Sequence, residues 1–397
     1  MRIAVIFHRF GPYHDARLRS AAKTCETVGI ELAEDTREYA WDRIEKSDLY
    51  KRVTVFPSAD SREAGHRELR DRLISVLAAI KPDAVGVPGW SERGALVAIE
   101  WCNAHKVPVI LMSESGLADE RRSGWREAIK RRVVKLCSAA LVGGQSHARY
   151  LIRLGVPTER IFTGYDTVDN DYFATKSDES RSREVENRVR HDLPESYFLA
   201  NARFIAKKNL SRLIEAYARY RSLADQSDTW DLVILGDGPL KPELSRLIAD
   251  FSLEAHVLLP GFKQYRELPV YYGLAKVFIH ASTTEQWGLV VNEAMASGLP
   301  VLVSERCGCA EDLVREGHNG FAFDPSNTDQ MAQLMKRVAA PDSPLAMFGV
   351  ESRRVISRFA MNSFGEGLRQ AADMAIGQPI PRARFSDRLL LRLLIAT

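Results

Sequence analysis

The sequence has little of what marks secreted, membrane-spanning or nucleic-acid-binding chains. Its 397 residues include five scattered cysteines, an odd number that indicates a reducing compartment rather than a disulfide framework. Cys307 and Cys309 have no second ligand pair nearby, so we expect no structural metal site. A net charge of +3 is too small to imply a nucleic-acid partner. The chain shows neither a signal segment nor an apolar run of membrane-spanning length, and we expect a cytoplasmic protein.

What is present is ordinary globular composition, 45% hydrophobic and 27% charged, in a chain long enough for two domains. In the N-terminal half, short apolar runs alternate with helical patterns, which predicts an α/β fold with a parallel sheet covered on both faces. The predicted strands lie at 2–7, 52–56, 83–87, 108–112, 139–142 and 160–164, and the predicted helices at 15–28, 62–80, 93–105 and 146–154. Ligands of such sheets bind beyond the carboxyl ends of the strands.

Residues 165–193 interrupt this alternation with polar and charged sequence, which predicts a boundary between two halves. A second alternating series follows. Its predicted strands lie at 197–202, 231–236, 256–260, 276–281 and 300–304, with helices at 210–224, 241–251 and 311–316. The chain therefore contains two α/β halves of comparable size, and we expect them to face each other across a ligand cleft.

The stretch 283–303 carries the most chemical information. Gly288 opens an eleven-residue helical pattern whose apolar residues point in nearly every direction, so this helix should be buried. Glu293 lies inside it and needs a partner. Glu285 lies just before the helix start, where backbone N–H groups favour an anion. We interpret the stretch as a place where a phosphate meets a helix start between two carboxylates. The alternative is that Glu293 caps neighbouring backbone and Glu285 is a solvated loop residue.

Five motifs occur in order between residues 197 and 324. They are R-F-I-A-K-K-N from Arg203, G-D-G-P from Gly236, G-F from Gly261, E-x7-E from Glu285 with a following G-L-P, and G-H-N-G-F from Gly317. As a set they resemble the retaining glycosyltransferases of family 4, within the glycosyl transferases group 1. The resemblance implies the GT-B fold, in which two Rossmann-like domains face each other across a cleft. It implies an N-terminal acceptor domain at 1–170, a donor domain at 171–360, and C-terminal helices at 361–397 that return to pack on the N-terminal domain.

The resemblance implies a role for each matching residue. Arg203 and Lys208 would hold the diphosphate of a nucleotide-sugar donor, and their spacing lets both cations converge on one anion. Glu293 would bind the ribose, and Glu285 would contact the transferred sugar. The other donor contacts would come from backbone amides at the helix start and from residues beside the base, namely Gly288, Leu289, Val290, Phe262 and Lys263.

The N-terminal half departs from the family pattern at one position. Where members often carry a histidine in the loop after the fourth strand, this chain has Glu114, which cannot donate to phosphate while ionised. His14 in the first loop is a candidate for the missing imidazole, and an ordinary polar loop histidine is the alternative. Gly11 resembles the first-loop glycine that lets backbone approach the diphosphate. We expect both Glu114 and His14 to act in catalysis.

Two further motifs point elsewhere and receive less weight. Asp169-Asn-Asp171 has the D-x-D form of a Mg²⁺–nucleotide site, but it lies in the polar connector. Gly236-Asp-Gly238 follows a predicted strand, yet the third glycine of a dinucleotide-binding motif is absent. We therefore expect a reaction that uses no metal ion and no cofactor beyond the nucleoside-diphosphate sugar itself.

The segment 121–135 concentrates seven cations against one acid, with Trp125 among them. An anionic membrane surface is the partner that this pattern favours, and a solvated helix face is the alternative. The candidate membrane residues are Trp125, Arg126, Lys130 and Arg131. The tail 385–397 repeats the arginine and leucine pattern, and we expect it to pack on the N-terminal domain.

These features predict a metal-independent, retaining glycosyltransferase that moves a sugar from a nucleoside-diphosphate donor to an acceptor hydroxyl. The expected acceptor is a lipid-linked saccharide of cell-envelope or exopolysaccharide synthesis, reached at the inner membrane leaflet. A nucleotide-sugar epimerase of the same fold is one alternative, and it would need no acceptor. A catalytically silent nucleotide-sugar binding protein is another, against which the intact charged motif residues argue.

Overall fold

The computed structural model describes residues 1–34, 44, 47–57, 65–120, 122–224 and 229–396. These residues divide into two compact units. The first unit contains Met1–Val168 and Ala360–Thr397, and the second contains Asp169–Phe359. The start of the helix predicted at 62–80 and the cation Arg121 lie outside the described residues.

Strands and helices alternate along both units. The strands are β1 (Arg2–Phe7), β2 (Glu26–Ala33), β3 (Lys51–Phe56), β4 (Ala84–Pro88), β5 (Val109–Ser113), β6 (Ala139–Val142), β7 (Ile161–Thr163), β8 (Tyr197–Asn201), β9 (Asp231–Leu235), β10 (Val257–Gly261), β11 (Val277–His280), β12 (Val301–Ser304) and β13 (Gly320–Phe323). The helices are α1 (Pro12–Ala22), α2 (His66–Ile80), α3 (Arg93–His105), α4 (Gly124–Val134), α5 (Gln145–Leu154), α6 (Asn170–Ser182), α7 (Glu184–His191), α8 (Leu210–Leu223), α9 (Lys241–Asp250), α10 (Leu268–Leu274), α11 (Leu289–Ala296), α12 (Ala310–Leu313), α13 (Thr328–Ala339), α14 (Leu345–Ile356), α15 (Met361–Ile376) and α16 (Phe385–Ala396).

The first unit is built on a seven-stranded sheet in the order β3-β2-β1-β4-β5-β6-β7. Every neighbouring pair of strands is parallel. Because helices cover both faces, strand residues are buried whichever way they point. Ile3 and Val5 pack with α1 and α15, whereas Ala4 and Ile6 pack with α2 and α3. The predicted parallel α/β class is confirmed for this unit.

Strand β2 was not predicted, because the helix expected at 15–28 runs into it. The apolar run of β2 is interrupted by a charged residue, Glu31, and by a glycine, Gly29. Glu31 is fully buried and accepts hydrogen bonds from Arg52 Nε at 2.7 Å and Thr54 Oγ1 at 2.6 Å. A Cβ on Gly29 would lie 2.7 Å from a side-chain carbon of Leu18 on α1. Both features suit a central strand, but neither shows in a hydrophobic pattern.

The C-terminal helices α15 and α16 belong to the first unit. Helix α15 lies along α1, where Ser20 Oγ donates to the Met361 carbonyl at 2.5 Å. A Cβ on Gly365 would lie 2.7 Å from the Ser20 carbonyl oxygen, so a glycine permits this close approach. The chain thus returns to the first unit after passing through the second.

The second unit holds a six-stranded parallel sheet in the order β10-β9-β8-β11-β12-β13. Each sheet reverses its direction of growth once, between β1 and β4 in the first unit and between β8 and β11 in the second. A doubly wound sheet binds ligands beyond the carboxyl ends of the strands at such a reversal. The loops that follow β8 and β11 are therefore the expected donor site of this unit.

The polar stretch 165–193 is not a simple connector, because it forms helices α6 and α7. The buried side chains of α6 are Phe173 and two serines, Ser177 and Ser180. Ser177 Oγ donates to Ser297 Oγ at 2.9 Å, and a Cβ on Gly273 of α10 would lie 2.8 Å from the Ser177 carbonyl oxygen. Small side chains and close backbone contact replace the apolar stripe that sequence patterns detect.

Candidate functional site

The loops after β8 and β11 are held together by backbone and side-chain hydrogen bonds. Asn209 adopts a left-handed backbone conformation, with φ of 59°, and is buried. Its Nδ2 donates to the Ala281 carbonyl at 3.1 Å and to the Pro325 carbonyl at 2.8 Å. The Thr283 N–H donates to the Lys207 carbonyl at 2.9 Å. These contacts fix Lys208 beside the loop that carries Glu285.

Lys208 and Glu285 form an ion pair between Nζ and Oε2. Their side chains are only 14% and 13% exposed, so the pair is shielded from bulk water yet still reachable. Ser282 Oγ lies 3.4 Å and His280 Nε2 lies 3.6 Å from the same carboxylate oxygen. Two of the predicted site residues are therefore in direct contact, supported by two residues that were not predicted.

The surroundings keep Glu285 ionised. Burial by itself raises the pKa of the Glu285 carboxyl, but the hydrogen bond with His280 and the charge of Lys208 outweigh burial and hold that pKa well below its usual value. Burial and the nearby Lys208 charge lower the pKa of His280, against the opposing effect of Glu285. The His280 imidazole is therefore neutral, and it lies next to the ionised Glu285 carboxylate.

Helix α11 begins at this ion pair. Gly288 is its N-cap, with φ of +105°, a conformation that side chains disfavour. The N–H of Val291 already bonds back to the Gly288 carbonyl at 2.8 Å. The amides of Gly288, Leu289 and Val290 precede that bond, and amides at this position have no acceptor within the helix. Such a helix start favours an anion, as predicted for the donor phosphate.

Glu293 lies inside α11 and is fully buried. The Tyr272 hydroxyl donates to Glu293 Oε2 at 2.6 Å and accepts from Asn201 Nδ2 at 3.1 Å. Burial, and then the charge of Glu293, raise the pKa of Tyr272 well above its usual value, so the phenol stays a donor. The buried carboxylate has the partner that the sequence required. Because Glu293 is fully buried, a ribose would contact it only if neighbouring side chains moved aside.

The remaining donor candidates lie on the loops of the same unit. Arg203 is exposed just after β8. Phe262 is 40% exposed and follows β10. Lys263 Nζ lies 5.4 Å from the centre of the Tyr271 ring. The structure gives no direct contact that assigns these three residues a role, and their donor contacts stay predictions.

The two competing motifs have structural explanations. A Cβ on Gly236 would lie 1.9 Å from the Ala202 carbonyl oxygen, and one on Gly238 would lie 2.7 Å from the Phe204 carbonyl oxygen. The G-D-G turn thus packs directly on the loop after β8. Asp169 caps α6 by accepting the Tyr172 N–H at 3.0 Å. Among the described residues, no group of three or more His, Cys, Asp or Glu side chains is placed to hold a metal ion.

His14 and Gly11 meet at the start of α1 in the first unit. The Gly11 N–H donates to His14 Nδ1 at 3.1 Å. Burial, then the charges of Arg17 and His8, lower the pKa of His14 to about 3. Because Nδ1 accepts a hydrogen bond, the neutral ring carries its proton on Nε2. His14 is therefore a neutral donor at physiological pH.

Glu114 takes part in a buried carboxyl pair. It lies near Asp166, whose side chain is fully buried with Arg17 Nη2 3.5 Å from Oδ1. Burial, and then the charge of Glu114, raise the pKa of Asp166 well above its usual range, against the effect of Arg17. Asp166 therefore lies within electrostatic reach of Glu114. The sequence did not predict this link.

The basic segment forms α4, and its cations differ in exposure. Trp125 is 64% exposed, with the Arg126 guanidinium 5.3 Å from its ring centre, and Arg131 is exposed. Lys130 is 14% exposed and pairs with Glu120 at 2.7 Å, and it also contacts Glu127. Lys130 is thus a structural cation rather than part of the exposed basic face. In the part of the chain that the structure describes, no helix has the length and apolar character needed to span a membrane.

Besides Ser282, four supporting residues were missed from the sequence: His280, Asn209, Tyr272 and Asp166. Asn209 closes the R-F-I-A-K-K-N motif, so its motif membership was a usable signal. The other three are single polar residues near strand ends or in an apolar helix. Only the fold shows which residues they contact.

The second unit matches a known family. Residues 182–354 match the family described as glycosyl transferases group 1. Alpha-monoglucosyldiacylglycerol synthase of Acholeplasma laidlawii is 35% identical over 122 residues, 31% of this chain and 30% of that protein. Sulfoquinovosyl transferase SQD2 of Arabidopsis thaliana is 26% identical over 305 residues, 73% of this chain and 56% of that protein.

A shorter match involves a protein of Campylobacter jejuni. It is named an N-acetylgalactosamine-N,N'-diacetylbacillosaminyl-diphospho-undecaprenol 4-alpha-N-acetylgalactosaminyltransferase. It is 32% identical over 152 residues, 38% of this chain and 39% of that protein. The chain thus spans between 30% and 56% of the length of these three relatives.

Solved structures share the whole fold. The Anabaena HepE protein in complex with UDP and glucose has a TM-score of 0.71 at 19% identity, over 93% of this chain and 98% of that one. Sucrose-phosphate synthase of Thermosynechococcus elongatus has a TM-score of 0.72 at 17% identity, over 92% of this chain and 97% of that one. At these identities the likeness shows the fold alone, and the predicted GT-B class is confirmed.

Proposed function

We propose that this chain is a retaining, metal-independent glycosyltransferase of family 4, which the match of residues 182–354 to the glycosyl transferases group 1 supports. It moves a sugar from a nucleoside-diphosphate donor to a hydroxyl of a lipid-linked saccharide. Two relatives carry names that contain a lipid or a lipid-linked saccharide, which supports this acceptor class. The complex of the HepE protein with UDP supports a nucleotide-sugar donor.

The ion pair of Lys208 and Glu285 at the start of α11 is the observation that carries the proposal. A donor diphosphate at the helix start would compete with Glu285 for the Lys208 ammonium group. Arg203 follows β8 on the same loop and can reach the same anion from the exposed side. The diphosphate would then be neutralised by two cations and by the amides of Gly288 and Leu289.

Once Lys208 turns to the phosphate, Glu285 is free to bind the transferred sugar. The hydrogen bond with His280, the strongest contribution that lowers the pKa of Glu285, stays in place, so the carboxylate accepts hydroxyl protons in hydrogen bonds and does not act as an acid. Ser282 and His280 hold one of its oxygens. The other oxygen is oriented by this support, so donor sugars that differ in one hydroxyl should be distinguished here.

The reaction follows from this arrangement. The acceptor oxygen forms a bond to the anomeric carbon on the face from which the diphosphate leaves, while the bond from that carbon to the phosphate oxygen breaks. The leaving phosphate oxygen takes the acceptor proton, and the configuration is retained. Catalysis then consists of orientation and of charge stabilisation by Arg203, Lys208 and the helix start. We also propose that His14 and Glu114 act in catalysis, His14 through the proton on Nε2.

Calorimetry with free nucleoside diphosphates tests this assignment directly. UDP, GDP and ADP should be compared on the unaltered protein, and the tightest ligand should then be titrated into Lys208→Ala. We expect affinity to fall by roughly 10-fold or more, because a charge-assisted contact to phosphate is lost. Lys207→Ala is the matched control, since Lys207 is an exposed cation one position away. Equal losses in both variants, or none in Lys208→Ala, would remove Lys208 from the site.

Peripheral binding to an anionic membrane surface is part of the proposal. Trp125, Arg126 and Arg131 are exposed on α4 and carry it, whereas Lys130 is committed to Glu120 and Glu127. Co-sedimentation with vesicles should therefore use Arg126→Glu together with Arg131→Glu. We expect binding to anionic vesicles that high salt reverses and that this double variant loses. Equal recovery in the supernatant with anionic and zwitterionic vesicles would contradict it.

A further inference from the structure

The last helix, α16, buries only one of its faces. Leu391 and Ile395 are buried in the core that α3 contributes to. Two ion pairs fasten the helix, from Arg132 Nη2 to Asp387 Oδ1 at 2.7 Å and from Arg392 Nε to Glu100 Oε1 at 3.0 Å. The tail therefore packs on the first unit through a narrow strip of side chains.

The opposite face of α16 is apolar and open. Phe385 is 84% exposed, Leu389 is 50% exposed and Leu393 is 58% exposed. These residues recur every four positions, so they form one stripe along the helix. Their direction is roughly opposite to that of Leu391 and Ile395, at 100° per residue. The stripe is thus distinct from the packing face.

Arginines flank the stripe on one side. Arg384, Arg388 and Arg392 each precede one of the three apolar residues by a single position, and all three are exposed. The cations therefore form a second row, parallel to the apolar one. Arg392 is 68% exposed even though it contacts Glu100. An apolar stripe with a cationic border is the pattern of a helix that lies in a membrane interface.

Helix α4 continues the surface. The ion pair of Arg132 with Asp387 joins α4 to the first turn of α16. Trp125 lies seven residues before Arg132, and residues seven apart share one face of a helix. The face of α4 that carries Arg132 therefore also carries the exposed Trp125, with Arg126 against its ring.

The dimensions of the stripe favour a bilayer over a protein. From Phe385 to Leu393 it extends about 12 Å, at 1.5 Å per residue, and it is one residue wide. A stable protein interface needs about 800 Å² on each partner, with a packed apolar centre, which this strip does not supply. The basic border also requires an anionic partner. A bilayer with anionic headgroups satisfies both demands.

We propose that Phe385, Leu389 and Leu393 of α16 insert into the headgroup region of an anionic bilayer, with α4 as the second contact. The inference deepens the proposed function, because it rests on an acceptor held in a membrane and names how the enzyme approaches it. Helix α16 supplies the apolar part of the contact, and the arginines of both helices supply the electrostatic part.

Vesicle binding of one triple variant, Phe385→Ser with Leu389→Ser and Leu393→Ser, tests the proposal. The full chain is titrated with vesicles of 30% phosphatidylglycerol in phosphatidylcholine. We expect at least a 10-fold weaker partition of the variant, with no change in its net charge. The control replaces three valines that are also exposed, with Val185→Ser, Val189→Ser and Val350→Ser in the second unit. Control binding should equal that of the unaltered protein. An unchanged partition of the α16 variant would overturn the proposal.

A second measurement does not depend on the triple variant. Leu389→Cys is labelled with an environment-sensitive fluorophore, and Val189→Cys carries the same label as the control. Anionic vesicles should shift the emission of the label at position 389 to the blue and leave that at 189 unchanged. Self-association without lipid, lost in the triple variant, would instead assign the stripe to a second copy of the chain and would contradict the bilayer.

The outcome for α16 can be separated from the outcome for the proposed function. The triple variant should bind nucleoside diphosphate as tightly as the unaltered protein does, because its substitutions lie in the first unit and the loops after β8 and β11 belong to the second. Loss of vesicle binding with intact nucleotide binding supports the α16 inference. Vesicle binding that persists in a protein without nucleotide binding would count against the proposed function alone.

Discussion

Lys208 and Glu285 form an ion pair between the two loops that leave the central strands of the second sheet, directly before helix α11. Neither residue is near the other in sequence, and Asn209 and Thr283 fix the loops that carry them. Lys208 thus lies at the helix start, where a phosphate is favoured, and the ionised Glu285 carboxylate lies next to it. When a donor diphosphate replaces Glu285 as the partner of Lys208, Ser282, His280 and the sugar hydroxyls remain as partners of the Glu285 carboxylate.

Loss of either donor cation should slow the reaction strongly. Arg203→Ala and Lys208→Ala should each lower kcat/KM by roughly 100-fold or more, because each charge stabilises the departing diphosphate in a partly dry site. Steady-state kinetics with the preferred donor measures the effect. Lys207→Ala should stay within about threefold of the unaltered enzyme. Unaltered rates for Lys208→Ala would show that the ion pair is structural.

The two glutamates should differ in what they affect. Glu293→Gln should raise the donor KM and the nucleoside-diphosphate Kd together, since a ribose contact exists equally in the ground and transition states. Glu285→Gln should not weaken binding of the free nucleotide, because the amide no longer competes with the diphosphate for Lys208, and it should alter the ranking of donor sugars. Calorimetry with the bare nucleotide separates the two variants. If only Glu285→Gln weakens nucleotide binding, the roles are reversed.

The acid stability of the first unit should depend on His14. Its folded-state pKa of about 3 is below the unfolded value of 6.5, so below pH 6.5 the unfolded chain binds a proton that the folded chain does not. This imidazole therefore removes stability as pH falls from 7 towards 3. Between pH 7 and pH 5 the unaltered protein should lose about 2 kcal/mol more of its unfolding free energy than His14→Gln does. Denaturant titrations of both proteins at both values measure the difference. Parallel losses would show that His14 is protonated in the fold.

The G-D-G turn should be needed both for the stability of the fold and for the conformation of the loop after β8. In Gly236→Ala the new methyl group would meet the Ala202 carbonyl oxygen at 1.9 Å in a backbone with φ of +127°, and that backbone cannot move away easily. We expect a loss of about 3 kcal/mol in the free energy of unfolding, with weaker nucleotide binding. Gly124→Ala has open space around the new methyl group and should change stability by less than about 0.5 kcal/mol. Thermal unfolding of both variants provides the comparison.

Most strands and helices could be predicted from the sequence, because parallel strands that are buried on both faces form continuous apolar runs. Strand β1 was predicted at its observed bounds, and α3 likewise. Strand β2 was missed because Glu31 is buried in it against Arg52. Helices α6 and α7 were interpreted as a polar connector, because serines rather than leucines form the packed face of α6. Hydrophobic periodicity detects neither arrangement.

Residues of the candidate site could be predicted only where they belong to short sequence motifs. Glu285, Gly288 and Lys208 were identified by their order along the chain, and the structure brings them to one helix start. Asp166 was not, since its partner Arg17 lies in another segment of the chain, and His280 was not, since it is a single polar residue at the end of an apolar strand. The apolar stripe of α16 also escaped, because its leucines were all assigned to packing. Only the fold shows which of them remain exposed.

The mass of the product tests the central claim most directly. The purified protein is incubated with a panel of UDP-, GDP- and ADP-sugars and a polyprenyl-diphosphate saccharide acceptor, with EDTA present, and the products are analysed by mass spectrometry. The account predicts that the acceptor gains one glycosyl unit, that one equivalent of nucleoside diphosphate is released, and that Lys208→Ala abolishes the gain. Free sugar or an epimerised donor formed without an acceptor, or transfer that requires added Mg²⁺, would contradict it.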